Sequence, residues 1–316
     1  MEDNKDGKNN KMSITISMLI GSHLSSRHLV QKSISTIVKN IGTSDYLLVI
    51  GVSKHINQNI LNMVKRKSST KIIIETEHTN SFAEFTNYVF SKYANNSKWF
   101  LVSHDDIELK TKNFLPTVEN TLKPLRTDIG WISFTDDDYL NGHWAPSTRP
   151  GYHNDFIRRN AWNRKKVFQF HSLPEGWYGK KNKQNLIYDF PIAPVICHAP
   201  FSHFIMIESK KYTLCENWSE VSLLVDEDWG LESMKKGLSN IWAPNIIYTH
   251  CRKNGTRAAP IIKKKGREAG KCFFKKWGFI HFPLTIKTLQ KIKQKYGKTN
   301  ITWSFGKNSF DWDYVK

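Results

Sequence analysis

A chain of 316 residues and 36.8 kDa, with 39% hydrophobic and 13% aromatic side chains, can bury a core with a working cleft and is not a disordered polymer. Its 47 Lys and Arg against 28 Asp and Glu leave a formal charge of +19, a field that favours anionic partners such as nucleotides, nucleic acid or an acidic membrane face. No run of about 18 apolar residues occurs, and Met1 to Lys11 is polar where a secretory signal carries an apolar core, so the expected location is cytoplasmic.

Residues 1–12 are charged and are expected to form a disordered tail. From Ser13, short β-branched runs alternate with helix-like stretches. Strands are expected at Ile14–Ile20, Tyr46–Val52, Lys71–Glu75 and Trp99–Val102, with helices at Ser25–Ile41, Ile56–Lys65 and Ser81–Ala94 between them. Such alternation reads as βαβ units in a mostly parallel sheet, whose ligands bind beyond the carboxyl ends of the strands. The places to look are therefore just after Ile20, Val52 and Val102. Neither GxGxxG after the first strand nor GxxxxGK[ST] anywhere is present, so dinucleotide and P-loop sites are not expected.

Between Thr111 and Pro200 the pattern loosens into a Trp-, Pro- and Gly-rich stretch expected to form long loops, interrupted by the apolar strand Trp131–Phe134. Regularity returns with a strand at Phe204–Ile207, a helix from about Asp226 to Lys236 ended by Gly237, and a strand at Ile241–Tyr248. The segment from Arg252 to Lys298 holds most of the excess charge, with Glu268 as its one acid. After Pro283, Ile286, Leu289, Ile292 and Tyr296 recur at helical spacing beside a row of Lys287, Lys291 and Lys295, the pattern of a basic amphipathic helix. Cys197, Cys215, Cys251 and Cys272 form no CxxC pair and suggest neither a zinc knuckle nor a disulfide framework.

Two acidic constellations stand out. Ser103-His104-Asp105-Asp106 follows an apolar strand, where adjacent carboxylates repel and a divalent cation or polyol hydroxyls would stabilise them. The plainer alternative is a solvated turn whose Asp side chains cap the next helix. Asp226-Glu227-Asp228 opens a helix, where the macrodipole alone would favour acids. Asp136-Asp137-Asp138, after Trp131–Phe134, is a rival for the first group.

In this order the chain resembles a family 2 glycosyltransferase of the GT-A fold. The run NSFAEFTNYVFSKYANNSKWFLVSHDD, from Asn80 to Asp106, is similar to the family's helix with an Asn, at Asn87, followed by the strand that ends in a DxD signature. Glu227 and Asp228 in VDEDWGLESMKKGLSNIWAPNIIYTH resemble its Glu-Asp dyad, with His250 in the closing Tyr-x-His, and FFKKWG at Phe273 to Gly278 resembles a Lys-Trp-Gly element. The chain departs from the pattern at His104, which takes the place of the first DxD acid, at Gly21 and Ser53, which end the first two strands without the usual Pro and Asp, and at Gly230 after the dyad.

The resemblance implies an α/β, Rossmann-like, mostly parallel sheet flanked by helices over 13–255, with a basic helical extension at 256–316. It implies a sugar transfer, inverting and of hexosyl type, from a nucleotide sugar to a saccharide or lipid-linked saccharide in surface-glycan synthesis. Mn²⁺ or Mg²⁺ would rest on Asp106, with His250 and His104 beside it, and would stabilise the departing diphosphate. Asp105, Gly21, Ser53 and Asn87 would contact the donor. Asp228, with Glu227 as its neighbour, would accept the acceptor's proton. The basic segment would hold the enzyme on an anionic membrane face, and no nucleic-acid partner is expected. The alternatives are a nucleic-acid-binding protein, supported by charge, and a metal-dependent phosphoesterase built on Asp105, Asp106, Glu227, Asp228 and His250.

Overall fold

The computed structural model of the chain describes residues 12–21, 26–125, 128–136, 177–181, 187–191, 194–197, 203–214, 225–251, 269, 271–272, 275–276, 305–306 and 309–310. In chain order the elements are β1 (Ile14–Ile20), α1 (Arg27–Asn40), β2 (Tyr46–Val52), α2 (Gln58–Lys65), β3 (Ile72–Glu75), α3 (Phe82–Val89) and β4 (Trp99–His104). There follow β5 (Ile107–Leu109), α4 (Phe114–Leu122), β6 (Ile129–Asp136), β7 (Trp177–Lys181), β8 (Ile187–Pro191), β9 (Val195–Cys197), β10 (Phe204–Glu208), α5 (Val225–Lys235) and β11 (Ser239–His250).

Nine strands make one sheet in the order β3-β2-β1-β4-β10-β6-β11-β5, with β9 joined to β11, while β7 and β8 pair separately. The first four strands are parallel, as the βαβ spacing predicts. β10 then runs antiparallel to both β4 and β6, and β11 is parallel to β6. The carboxyl ends of β4, β6 and β11 and the amino end of β10 therefore share one edge.

Period-two alternation divides the core into two faces. Ile14, Ile16, Met18 and Ile20 of β1, with Trp99 and Leu101 of β4, pack against Val30, Ile34 and Ile37 of α1, Ile60 and Val64 of α2, and Phe114 and Val118 of α4. The other face sets Val49, Phe100, Val102 and Ile205 against Phe85 and Val89 of α3 and Val225 and Trp229 of α5. The result is the helix-sheet-helix sandwich that the sequence predicts.

Helix ends follow from their caps. Ser81 Oγ accepts the Glu84 N–H at 3.1 Å at the start of α3, and Asn57 Oδ1 accepts the Asn59 N–H at 2.8 Å at α2. Gly237, at φ +78°, closes α5: its left-handed backbone lets the Leu238 N–H reach back to the Ser233 carbonyl at 3.1 Å. Gly130 sits where α5 crosses β6, because a Cβ there would lie 2.0 Å from Ser233 Oγ. Asn240 bolts the same junction, accepting the Trp131 N–H and donating to the Gly230 carbonyl, both at 3.0 Å. These contacts fix the helix that carries Asp228.

Two sequence expectations need correcting. The single helix expected over Ser81–Ala94 is an α-helix to Val89 followed by a π-turn over Phe90–Ala94, in which the Asn95 N–H reaches the Phe90 carbonyl at 3.1 Å. Phe90 packs there on Tyr212 and Phe100. After Thr111 the chain does not loosen at once but forms α4. Pro116 is tolerated because it lies in the first turn, where its missing N–H has no partner inside the helix. The Trp- and Pro-rich residues 143–176, the tail 1–11 and the amphipathic pattern after Pro283 lie outside the described residues.

Candidate active site

The Asp105-Asp106 pair forms the tight connection from β4 to β5, so it does not cap a helix. α1 holds that turn in place: Asn40 Nδ2 donates to the Leu109 carbonyl at 2.7 Å, Thr36 Oγ1 accepts the Leu109 N–H at 3.2 Å, and Lys32 pairs with Glu108 at 2.7 Å. β11 seals the other side, with His250 opposite Ile107 and the Cys251 N–H on the Asp106 carbonyl at 2.9 Å.

Three imidazoles meet beside this turn. His104 ends β4, and its strand parity directs it to the α3/α5 face, where it packs edge-on against Phe82 with ring centroids 4.9 Å apart. His203 immediately precedes β10 and accepts the His104 N–H on its carbonyl at 2.8 Å. His250 ends β11. Its ring lies 4.0 Å from that of His203 and 5.6 Å from that of His104, and His104 and His203 are 4.9 Å apart. One ligand nitrogen from each of the three lies within 4.8 Å of the others.

Asp106 Oδ1 approaches His250 Nε2 at 3.1 Å, with the Asp106 side chain 24% exposed. Burial works against ionisation of Asp106, but the hydrogen bond from His250 and the charges of His250 and His104 outweigh it and hold the carboxyl below its ordinary range. Asp136, buried at the end of β6, accepts the His250 N–H on Oδ1 at 3.2 Å. The rival acidic triple thus adds its first member as a support for His250, while Asp137 and Asp138 lie outside the described residues.

Asp228 is in a different environment from the solvent-facing helix cap. Its side chain is 2% exposed and pairs with Lys276 at 2.8 Å; Lys276, 18% exposed, also reaches Glu232 at 3.0 Å. Burial would lower the Lys276 pKa, but Asp228 and Glu232 together raise it, so the ammonium is retained. Glu227 precedes Asp228 on α5. Trp229, next to Asp228, is 6.2 Å from Phe82 between ring centroids, and Phe82 therefore links α5 to His104.

Of the remaining sequence-derived residues, Gly21 and Ser53 lie at the carboxyl ends of β1 and β2, on the edge that holds His104, with the Ser53 N–H on the Ile20 carbonyl at 3.1 Å. Asn87 is not brought to this group; its Oδ1 accepts the Tyr212 hydroxyl at 2.8 Å within the aromatic core. Sequence reasoning missed His203 and the partnership of Lys276. The first had one signal, a His directly before an apolar strand, and the second is the lysine of the Lys-Trp-Gly element already noted, whose pairing with Asp228 the sequence does not show.

Imidazole and carboxylate donors at one strand edge are chemically suited to a divalent transition cation such as Mn²⁺. The arrangement is similar in fold to a mannosyltransferase from Pyrobaculum calidifontis in complex with GDP-Man and Mn²⁺, with a TM-score of 0.52 and 10% identity over 90% of this chain and 70% of that one. No protein-family model matches the sequence. No curated protein matches it either. The structural likeness establishes the fold, which is the GT-A type of mixed α/β sheet flanked by helices.

Proposed function

We propose that the protein is a glycosyltransferase that moves a sugar, of hexosyl type and with inversion, from a nucleotide-sugar donor to a saccharide or lipid-linked saccharide in surface-glycan assembly. The observation that carries this reading is the convergence of Asp106, His104, His203 and His250 at the carboxyl edge of a GT-A sheet, with Phe82 linking them to the helix that bears Asp228. The neighbour's complex with GDP-Man and Mn²⁺ supports a nucleotide-sugar donor and a divalent cation.

Gly21, Ser53 and Asp105 lie on the edge where the donor would lie, and the cation would be held beside Asp106, among the imidazoles that include His104 and His250. A cation there would supply positive charge to the departing diphosphate. Asp228 takes the proton of the acceptor hydroxyl, a poor nucleophile near neutral pH. Lys276, at 2.8 Å, favours the ionised carboxylate that this role requires.

Incubation with a panel of nucleotide sugars and Mn²⁺ should release nucleoside diphosphate from one donor class, and excess chelator should stop it. No release with any donor overturns the reading, and hydrolysis of phosphate esters without sugar transfer selects the phosphoesterase instead. The basic residues between Arg252 and Lys298 support residence on an anionic membrane surface, at about 1 kcal/mol for each Lys or Arg near the bilayer. Deleting the chain after Gly278 should weaken co-sedimentation with anionic liposomes, with a smaller loss at high salt. Unchanged co-sedimentation leaves that segment a solvated face.

A further inference from the structure

We infer that His104, His203 and His250 are themselves the ligands of a nitrogen-rich cation site, that Asp106 acts through His250, and that the site takes Zn²⁺, Co²⁺ or Mn²⁺ in preference to Mg²⁺. The cation's part in sugar transfer rests on the function proposed above, whereas its binding rests on geometry alone. Among the described residues, this is the one group of three or more His, Cys, Asp or Glu side chains whose ligand atoms come this close together. Asp106 is not a member of it, although its Oδ1 is 3.1 Å from His250.

Three nitrogens bound to one tetrahedral cation at about 2.0–2.1 Å stand roughly 3.3–3.4 Å from one another. Nitrogens that already fall within 4.8 Å therefore need to close by at most about 1.5 Å, within reach of side-chain rotation. The three side chains come from the ends of β4 and β11 and the start of β10, backbone that the sheet fixes: the His104 N–H is bonded to His203, and the His250 N–H to Asp136. Such a set is preorganised on rigid elements.

The position of Asp106 matches that of a carboxylate that orients a ligating imidazole. Asp106 Oδ1 stands 3.1 Å from His250 Nε2, and an Nε2–H turned toward it would leave the Nδ1 lone pair for the cation. The donor set also decides the cation. Imidazole suits first-row transition ions, with affinity rising from Mn²⁺ towards Co²⁺ and Zn²⁺, whereas Mg²⁺ requires oxygen ligands and keeps its water.

The test uses chelator-treated full-length protein without donor or acceptor. Calorimetric titration with Zn²⁺ and with Co²⁺ should show one ion per chain, the Co²⁺ form should develop a visible ligand-field band, and a hundredfold excess of Mg²⁺ should displace neither. His203→Ala should lose the band and weaken binding by more than tenfold. His203→Gln serves as a second variant should alanine unfold the start of β10, with circular dichroism as the check. Asp106→Asn should weaken binding by roughly 10- to 100-fold yet keep the band, because the ligands remain. Full binding in both folded His203 variants, or equal competition by Mg²⁺, overturns the site. Metal binding without sugar transfer would refute the transferase reading and leave this one intact; transfer with unaltered kinetics and metal binding in the His203 variants would do the reverse.

Discussion

Asp228→Asn should lower sugar transfer by roughly 10²- to 10⁴-fold, the range expected when a positioned general base is removed. Asparagine keeps the size of the side chain and an oxygen that Lys276 can still reach, but it cannot take a proton from the acceptor. Donor affinity should barely change, since the groups placed along the donor edge are Gly21, Ser53 and Asp105. Glu227→Gln should cost less. The measurement is initial rate against acceptor concentration beside a donor-binding titration, with thermal melts to confirm folding. Near-normal transfer in Asp228→Asn would reduce that carboxylate to an ion-pair partner, and a loss in Asp138→Asn instead would move the catalytic acid to the residues that follow β6.

The second large effect is on stability. Lys276→Met should destabilise the fold by about 3 kcal/mol, the lower end of what breaking a buried pair costs. The reason is asymmetric burial: Asp228 is 2% exposed and would lose the ammonium that offsets its desolvation, whereas Lys276 is 18% exposed and water meets part of its need. Glu232 would lose the nearer of two ammonium contacts, keeping Lys235 at 3.9 Å. Urea unfolding measures the cost through the shift in midpoint at constant slope. The double variant Lys276→Met with Asp228→Asn should recover part of the loss, because it removes the buried charge that faced the ammonium. A single-variant cost below about 1 kcal/mol would mean that solvent already screens the pair as it does a surface one.

β1, β2 and β4 were legible because each is a run of nearly complete burial, β1 at all seven positions and β2 and β4 at all but one, while β3, buried only at Ile72, was legible from its three consecutive isoleucines. Residues of that kind in a βαβ order allow few arrangements. β5 was not legible, since Ile107–Leu109 is three residues long and is a strand only because β11 pairs with it. α4 was obscured by Pro116 and by Asn113, whose φ of 50° starts the helix without a side-chain cap.

The candidate site divides in the same way. Asp106 and His250 could be read from strand ends, because one parallel sheet puts all carboxyl ends on one edge. His203 could not, because it reaches that edge through the amino end of an antiparallel strand, and pairing direction leaves no trace in a run such as Phe204–Ile207. Lys276 was marked as the lysine of a Lys-Trp-Gly element, but its pairing with Asp228 was not. Its role is set by where one ammonium is buried, which periodicity does not encode.

The reversed direction of β10 brings both ends of one segment to the same place. The chain leaves the sheet at Asp136, bonded to His250, and re-enters it at His203, packed on the same ring. Residues 137–202 thus start and finish beside one imidazole, with the short strand β9 among them paired to β11. A segment tied this way can change in length while the registers of β4, β10 and β6 stay unchanged, since loop closure depends weakly on length. Such a change is felt at the imidazole edge and leaves the sheet that holds His104 and His250 as it is.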